Sequence, residues 1–414
     1  MKNNISIGNF AASLIIFFIS LFSRSIIAYF YSDKVLVNEW LILVENLYYH
    51  NSLSLIRFGD LFLPNLWMPP LYAYYIYLHS LLFGIGEDLV KSVIISQVVI
   101  SSFTSVIFFK ILKNLFEYNL ATIGSIIFCI FPLIVYSSCQ ISSITIYLFL
   151  SILYFYIIIK IISKKRFNCF ILGIISGLLI LTSRDFILVY IFTLIFILGF
   201  RFLNIRNIFI ILTITSITIS PYLIRNYIAF DRLIIHSGLG YNLWKAYNPE
   251  AKIEGFQNSN PKGEEQKYTD ESDQLKSKLI EVKKDKFYRL NEDKIYLDQA
   301  LTYIYEDPIK YSKLFFNRLF SFFFIDLNSS QTNYYNFFHI VPNLIVSIFS
   351  IFGFILYKKN NFRLNYLIFI TFILVFVYAC FAILPRYKLY ILPMQIIFSL
   401  CFLQNFYSSL IKKN

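Results

Sequence analysis

The chain has 414 residues, of which 57% are hydrophobic, 20% aromatic and only 15% charged, and it carries a net charge of +13. Its mean hydropathy is +0.63. A soluble domain runs at about 45–50% apolar and roughly 25% charged, and a water-facing surface has no place for such an excess. The composition excludes an ordinary soluble enzyme, a disordered chain and a disulfide-rich secreted scaffold; a polytopic membrane protein remains.

The positive charge does not point to nucleic acid. Lys164-Lys165-Arg166, Lys358-Lys359 and Lys412-Lys413 all flank apolar runs, as cytoplasmic loops of membrane proteins do. Cys129, Cys139, Cys169, Cys380 and Cys401 are scattered through apolar runs without a CxxC pair and read as small buried hydrophobes.

A spanning helix needs about 20 apolar residues. The first such run is Phe10 to about Tyr31, too long for a signal peptide and without a small-residue cleavage site, so it reads as a retained anchor. Nine more follow, at about 89–110, 119–139, 141–162, 168–184, 186–202, 207–224, 335–357, 363–384 and 389–409. Two shorter apolar stretches, 71–84 and 311–325, read as juxtamembrane or re-entrant helices. With ten spans, Lys110/Lys113, Lys164/Lys165/Arg166, Arg201/Arg206 and Lys358/Lys359/Arg363 fall on one side, which is then cytoplasmic.

The expected organisation is an N-terminal membrane module (1–224) holding a first outer loop at 32–88, an outer region (225–334), and C-terminal membrane helices (335–414). Within the outer region, Gln257 to Asp273 reads as a mobile loop. From about Gln274 to Glu306 the chain has helical periodicity, with Leu290, Tyr296, Leu297, Leu301 and Ile304 on one face and Pro308 beyond its end.

The first outer loop carries Asp33, Glu39, Glu45 and Asp60. Glu39 begins an amphipathic segment in which Leu43, Asn46 and Leu47 share a face. A carboxylate at a membrane surface near aromatic rings suits a general base acting on a hydroxyl. It equally suits the first turn of a helix facing water. Pro69-Pro70 reads as a rigid start for the short helix that follows.

Three arginines sit at outer boundaries, against the charge rule: Arg184 in Leu181-Thr182-Ser183-Arg184-Asp185, Arg225 in Pro221-Tyr222-Leu223-Ile224-Arg225-Asn226, and Arg386 in Leu384-Pro385-Arg386-Tyr387-Lys388. A lipid-linked phosphate gives each a purpose, because guanidinium grips phosphate oxygens bidentately and keeps its charge near the bilayer. Snorkelling, or pairing with Asp185, is the alternative. Arg24 lies within the first run and is expected to pair inside the bundle. Tyr241, Trp244 and Tyr247, in Gly238-Leu239-Gly240-Tyr241-Asn242-Leu243-Trp244-Lys245, suit stacking on a sugar ring or an interfacial belt. His50, His79, His236 and His339 show no metal-ligand spacing, so no cofactor is assigned and a divalent metal has no supporting motif.

Taken in order, these motifs resemble the GT-C integral-membrane glycosyltransferases, in particular the bacterial branch related to protein O-mannosyltransferases and the lipid A aminoarabinose transferase. Glu39-Trp40 to Asn46-Leu47 looks like the family's acidic-aromatic start of the first outer loop. Pro69-Pro70-Leu71-Tyr72 looks like its PPxYP element, with Ala73 for the last proline. Gly177 to Arg184 is similar to its "G…LTRP" span end. Pro221 to Tyr227 with Asn242 to Ala251 looks like its "PWxIRNY…NLYxGNNPxA". Asp298 to Ile304 with Pro308, and Pro385 to Pro393, resemble its "ALxYIxxxP" and "RYRLPxxP". Asn38 stands where relatives often have a second acid, Trp67-Met68 where the aminoarabinose branch has Glu-Lys, and Ile144 where many have an outer glutamate.

The resemblance implies an all-α polytopic fold, a GT-C-like bundle of about ten membrane helices with juxtamembrane helices and a small outer loop region. It implies a multi-pass enzyme of the cytoplasmic (inner) membrane with an extracytoplasmic site. Such an enzyme moves a sugar, with inversion, from a polyprenyl-phosphate donor to a lipid, glycan or protein acceptor. Glu39 matches the presumed base and Asp33 is the second choice; Arg184, Arg225, Arg386 and Lys388 match the carrier-phosphate region; Tyr72, Tyr241, Asn242 and Trp244 fall to substrate binding. The competing readings are an envelope-polysaccharide polymerase or ligase, a flippase or transporter, and a non-catalytic scaffold. The middle spans are almost free of charge and show no repeat symmetry, unlike a transporter.

Overall fold

A computed structural model describes residues 2–36, 38–255, 273–326, 336–357 and 361–411. Each of the ten apolar runs forms helix. In chain order the elements are α1 (Lys2–Tyr31), α2 (Asn38–His50), β1 (Ser54–Phe58), β2 (Leu61–Pro64), α3 (Pro70–Phe83), α4 (Glu87–Leu115), α5 (Tyr118–Ile130), α6 (Pro132–Ser137) and α7 (Ile144–Ile162). Then follow α8 (Cys169–Thr182), α9 (Phe186–Gly199), α10 (Ile205–Phe230), α11 (Leu239–Tyr247), α12 (Asp273–Ile280), α13 (Tyr288–Glu306), α14 (Pro308–Phe323), α15 (Phe337–Leu356) and α16 (Phe362–Ala379). A 3-10 segment (Pro385–Tyr390) leads into α17 (Leu392–Ile411). The segment from Gln257 to Asp273, expected to be a mobile loop, lies outside the described residues except for Asp273.

The count of spans differs from ten by a matter of length. Among the described residues, six helices are long and apolar enough to cross a membrane: α1, α4, α7, α10, α15 and α16. A seventh is the broken pair α5–α6, bent by 52°. The cause is Pro132, which lacks the N–H that a continuous helix would use and instead opens α6. Helices α8 and α9 have 14 residues each, about 21 Å at 1.5 Å per residue, short of the ~30 Å apolar core of a bilayer. The chain is a multi-span membrane protein in which not every described apolar helix is long enough to cross by itself.

Of the basic residues expected on one side, Lys113, Lys165 and Arg363 come together at one end of the bundle. Lys165 donates to the Asn114 side chain (2.5 Å), Arg363 to its carbonyl, and Lys113 to Asn9. These residues come from the ends of α4 and α7 and the starts of α1 and α16. Inside the bundle Arg24 is fully buried. Its guanidinium donates to Ser101 Oγ (2.7 Å), Ser105 Oγ (3.4 Å), Ser20 O (3.1 Å) and Cys129 O (3.0 Å). The last is a carbonyl just before the Pro132 break, so Arg24 ties α1 and α4 to the kink.

At the opposite end lie α2, the hairpin, α3 and α11–α14. The hairpin is the small departure from an all-helical chain, pairing Ile56 with Leu63 and Phe58 with Leu61. The single helix expected over 274–306 is broken at 281–287. There Asp285 turns its carboxylate onto Phe287 N (2.8 Å), a local bond that competes with helix. The packed face of α13 is Glu292, Tyr296 and Ala300, with Leu301 exposed. This face meets α11 at Gly240, where an added Cβ would lie 1.9 Å from Asp293 O and 2.8 Å from Leu297 N. Backbone is in contact on both sides and has no rotamer to yield. Gly240→Ala is therefore expected to cost about 1–3 kcal/mol or more of stability, read as a lowered unfolding midpoint of purified protein in nanodiscs.

Candidate active site

A cavity of about 630 Å³ opens at the end of the bundle away from the basic loops. Its walls come from chain turns that the helices bring together: the start of α2, the segment before α3, the α6–α7 and α8–α9 connections, α11, α13, and the residues leading into α17.

The first wall is built by local chemistry. Asn65 Oδ1 accepts from Trp67 N (3.0 Å) and Met68 N (3.1 Å), and its amide donates to Met68 O (2.8 Å). That turn presents Trp67, Met68 and Pro69 to the cavity. Beside them is Glu39, exposed, in the first turn of α2. The buried Leu43 and Leu47 anchor the other face of α2. Trp40 rests edge-on against Tyr72, with centroids 4.8 Å apart.

Cations line the same cavity from other segments. Arg184 donates to His236 Nδ1 (2.9 Å) and Ser237 O (3.2 Å) and approaches Asp185 (3.7 Å). His236 is therefore neutral at Nδ1, and burial with the adjacent Arg184 holds its pKa well below the usual imidazole value. Asp185 also accepts from Tyr378 Oη (3.2 Å). Lys245 and Arg386 both line the cavity. Burial lowers the Lys245 pKa, and nearby Arg386 lowers it further, while Glu254 acts the opposite way. On α13, Arg289 pairs with the buried Glu292 (2.5 Å) and stands 5.4 Å over Trp67. Tyr378, Tyr387 and Tyr390 stack along one wall, with centroids 5.0–5.9 Å apart.

The structure brings together only part of the set expected from sequence. Glu39, Arg184, Arg386, Tyr241 and Asn242 line the cavity; the other five do not. Asp33 is half-buried, its carboxylate accepting from Ile141 N (2.6 Å). Burial raises its pKa, against the effect of that hydrogen bond. It shapes the 141–144 wall from behind. Arg225 donates to Asn65 O (3.0 Å), Leu53 O (2.8 Å) and Asn226 Oδ1 (2.7 Å), securing the base of the hairpin. Lys388 is buried against the carbonyls ending α14, bonded to Phe322, Phe323 and Phe324 and to Ser347 Oγ (3.0 Å). That burial pushes its ammonium well below the usual lysine pKa. Tyr72 is fully buried and donates to Gln97 (2.8 Å). Trp244 packs under the cavity against Tyr296 (5.1 Å).

Sequence reasoning missed Lys245, Arg289, Glu292 and His236. Lys245 sat inside a motif already in view. Arg289 and Glu292 stand three apart on α13, a spacing that pairs charges on any helix surface and gives no signal of a cavity. Among the described residues, no three His, Cys, Asp or Glu side chains converge as a metal site would require.

Comparison with known proteins bears on the fold. Residues 68–224 match the dolichyl-phosphate-mannose-protein mannosyltransferase family. No curated protein matches the chain. The archaeal oligosaccharyltransferase AglB from Archaeoglobus fulgidus, in complex with an inhibitory peptide and a dolichol-phosphate, is 14% identical, with a TM-score of 0.55 over 97% of this chain and 50% of that one. The same enzyme tethered with an acceptor peptide gives a TM-score of 0.54 at 14% identity, over 97% of this chain and 50% of that one. ArnT from Cupriavidus metallidurans bound to undecaprenyl phosphate is 12% identical, with a TM-score of 0.39 over 97% of this chain and 77% of that one. The chain spans about half the length of AglB. It shares the membrane-helix fold of AglB, and its match to the mannosyltransferase family covers residues 68–224.

Proposed function

We propose that the protein is a membrane glycosyltransferase that moves a sugar from a polyprenyl-phosphate carrier to an envelope lipid, glycan or protein hydroxyl. The observation that carries this reading is the cavity itself, whose lining holds an exposed acid, Glu39, together with the cations Arg184, Lys245 and Arg386. The family description and the dolichol-phosphate in the AglB structure support a lipid-phosphate donor.

The chemistry needs both charges at once. The acceptor oxygen attacks the anomeric carbon on the face opposite the carrier. Glu39 takes the hydroxyl proton as the new C–O bond forms. The bond from that carbon to the phosphate oxygen breaks, its electron pair leaves with the phosphate, and the three cations stabilise the added negative charge. One displacement inverts the anomeric centre. The tyrosine wall offers apolar ring faces to the sugar or the isoprenoid.

By the charge rule the basic end at Lys113, Lys165 and Arg363 reads as cytoplasmic, which supports an extracytoplasmic cavity at the inner membrane. The test is mass spectrometry of envelope lipids, glycans and glycoproteins from cells with and without the gene. Loss of a single glycosyl group from one class of acceptor is expected. Unchanged glycans in every class would overturn the reading.

A further inference from the structure

Arg318 of α14 is fully buried and does not line the cavity. It donates to Ala246 O (2.5 Å), Lys252 O (2.7 Å) and Ile253 O (3.2 Å), and its guanidinium lies 5.1 Å over the Tyr247 ring. These acceptors belong to the end of α11 and the loop after it. Ala246 directly follows Lys245. Ile253 O also accepts from Ile383 N (3.0 Å), three residues before Arg386. On its other side the Arg386 segment is pinned to α14 by Lys388, which bonds the carbonyls of Phe322 and Phe324. Both cation-bearing segments are thus fastened to one helix, and Arg318 is where the fastenings meet.

Two cations lining one cavity repel each other, by about 1 kcal/mol at 4 Å in water and more in a drier site. Neutral tethers alone leave them to splay. A guanidinium is suited to the brace because its rigid fork reaches several carbonyls together, which an ammonium does not.

We propose that Arg318 is a positioning residue that holds Lys245 and Arg386 at a set separation and so fixes the affinity of the cavity for the carrier phosphate. This rests on the polyprenyl-phosphate reading above.

The test uses purified full-length protein in nanodiscs, titrated with undecaprenyl phosphate. The readout is tryptophan quenching, since Trp40 and Trp67 line the cavity. Arg318→Lys keeps the charge and loses the fork. It is expected to weaken binding about tenfold, as loss of one or two charge-assisted bonds would, with kcat for transfer within about twofold. In a Lys245→Gln background the further loss should shrink to less than about twofold, because the spacing no longer matters. An equal loss in both backgrounds, or wild-type affinity in Arg318→Lys, overturns the brace. Absence of quenching in the wild type overturns the polyprenyl-phosphate reading instead. Should Arg318→Lys not yield folded protein, Tyr247→Leu keeps the guanidinium and removes the ring beneath it, with its hydroxyl's bond to Arg318 and its edge contact with Tyr311. About threefold weaker binding is expected from loss of one cation–π contact, and unchanged binding counts against the proposal.

Discussion

Glu39→Gln is expected to reduce sugar transfer by about 10²–10⁴-fold, the usual contribution of a positioned general base, with expression and unfolding temperature unchanged. The substitution keeps shape and hydrogen-bonding reach and removes only the capacity to take a proton. It disturbs little packing, since Glu39 is exposed in the cavity and α2 is anchored through the buried Leu43 and Leu47. The competing acid, Asp33, acts from a different position. Its carboxylate holds the Ile141 amide at 2.6 Å, and asparagine there still offers an acceptor oxygen. Asp33→Asn is therefore expected to lose less than about tenfold, the cost of weakening one such bond. Initial rates with a labelled polyprenyl-phosphate sugar separate the two. Full activity in Glu39→Gln with inactive Asp33→Asn would transfer the role of base to Asp33.

The second large effect is expected at Arg386. Arg386→Gln should raise KM for the lipid donor by about 10- to 100-fold, from loss of charge-assisted bonds worth about 1.5–3 kcal/mol. The phosphate is bound in both ground and transition states, so KM should carry most of the change. Part of the loss should appear in kcat, because negative charge grows on the phosphate as the bond breaks. Lys245→Gln should behave alike, and the double variant should lose less than the sum of the two, as close neighbours sharing one ligand do. Donor titrations across the four proteins check this; strict additivity would mean that the two cations serve different ligands. Arg184 is a poorer probe. It holds His236 and Ser237 as well, and its removal unsettles the loop before α11.

How far the site was legible varies residue by residue. Glu39 was readable because a carboxylate at the start of an amphipathic helix is a local pattern, and Arg184 and Arg386 because the expected topology sets them against the charge rule. Arg225 satisfied the same topological argument, yet it bonds Leu53 O and Asn65 O. Nothing in its neighbours along the chain says that a hairpin more than 150 residues away supplies those carbonyls. Lys388 was similar: the ending of α14 claims it. Glu292 and Arg289 went the other way, because the face of α13 that packs inward, where Gly240 lets α11 approach it, includes Glu292 beside Tyr296 and Ala300.

Local physics is enough to decide which segments become helix, that Pro308 stands at the end of one of them, and which loops carry the basic charge, since each depends on residues within a few turns. The composition alone places the chain in a bilayer. The tertiary structure decides which cations face the cavity and which are consumed as braces. A buried cation must find carbonyls or hydroxyls, and which backbone groups are left without helical partners is known only once the broken helices and loops have been packed together.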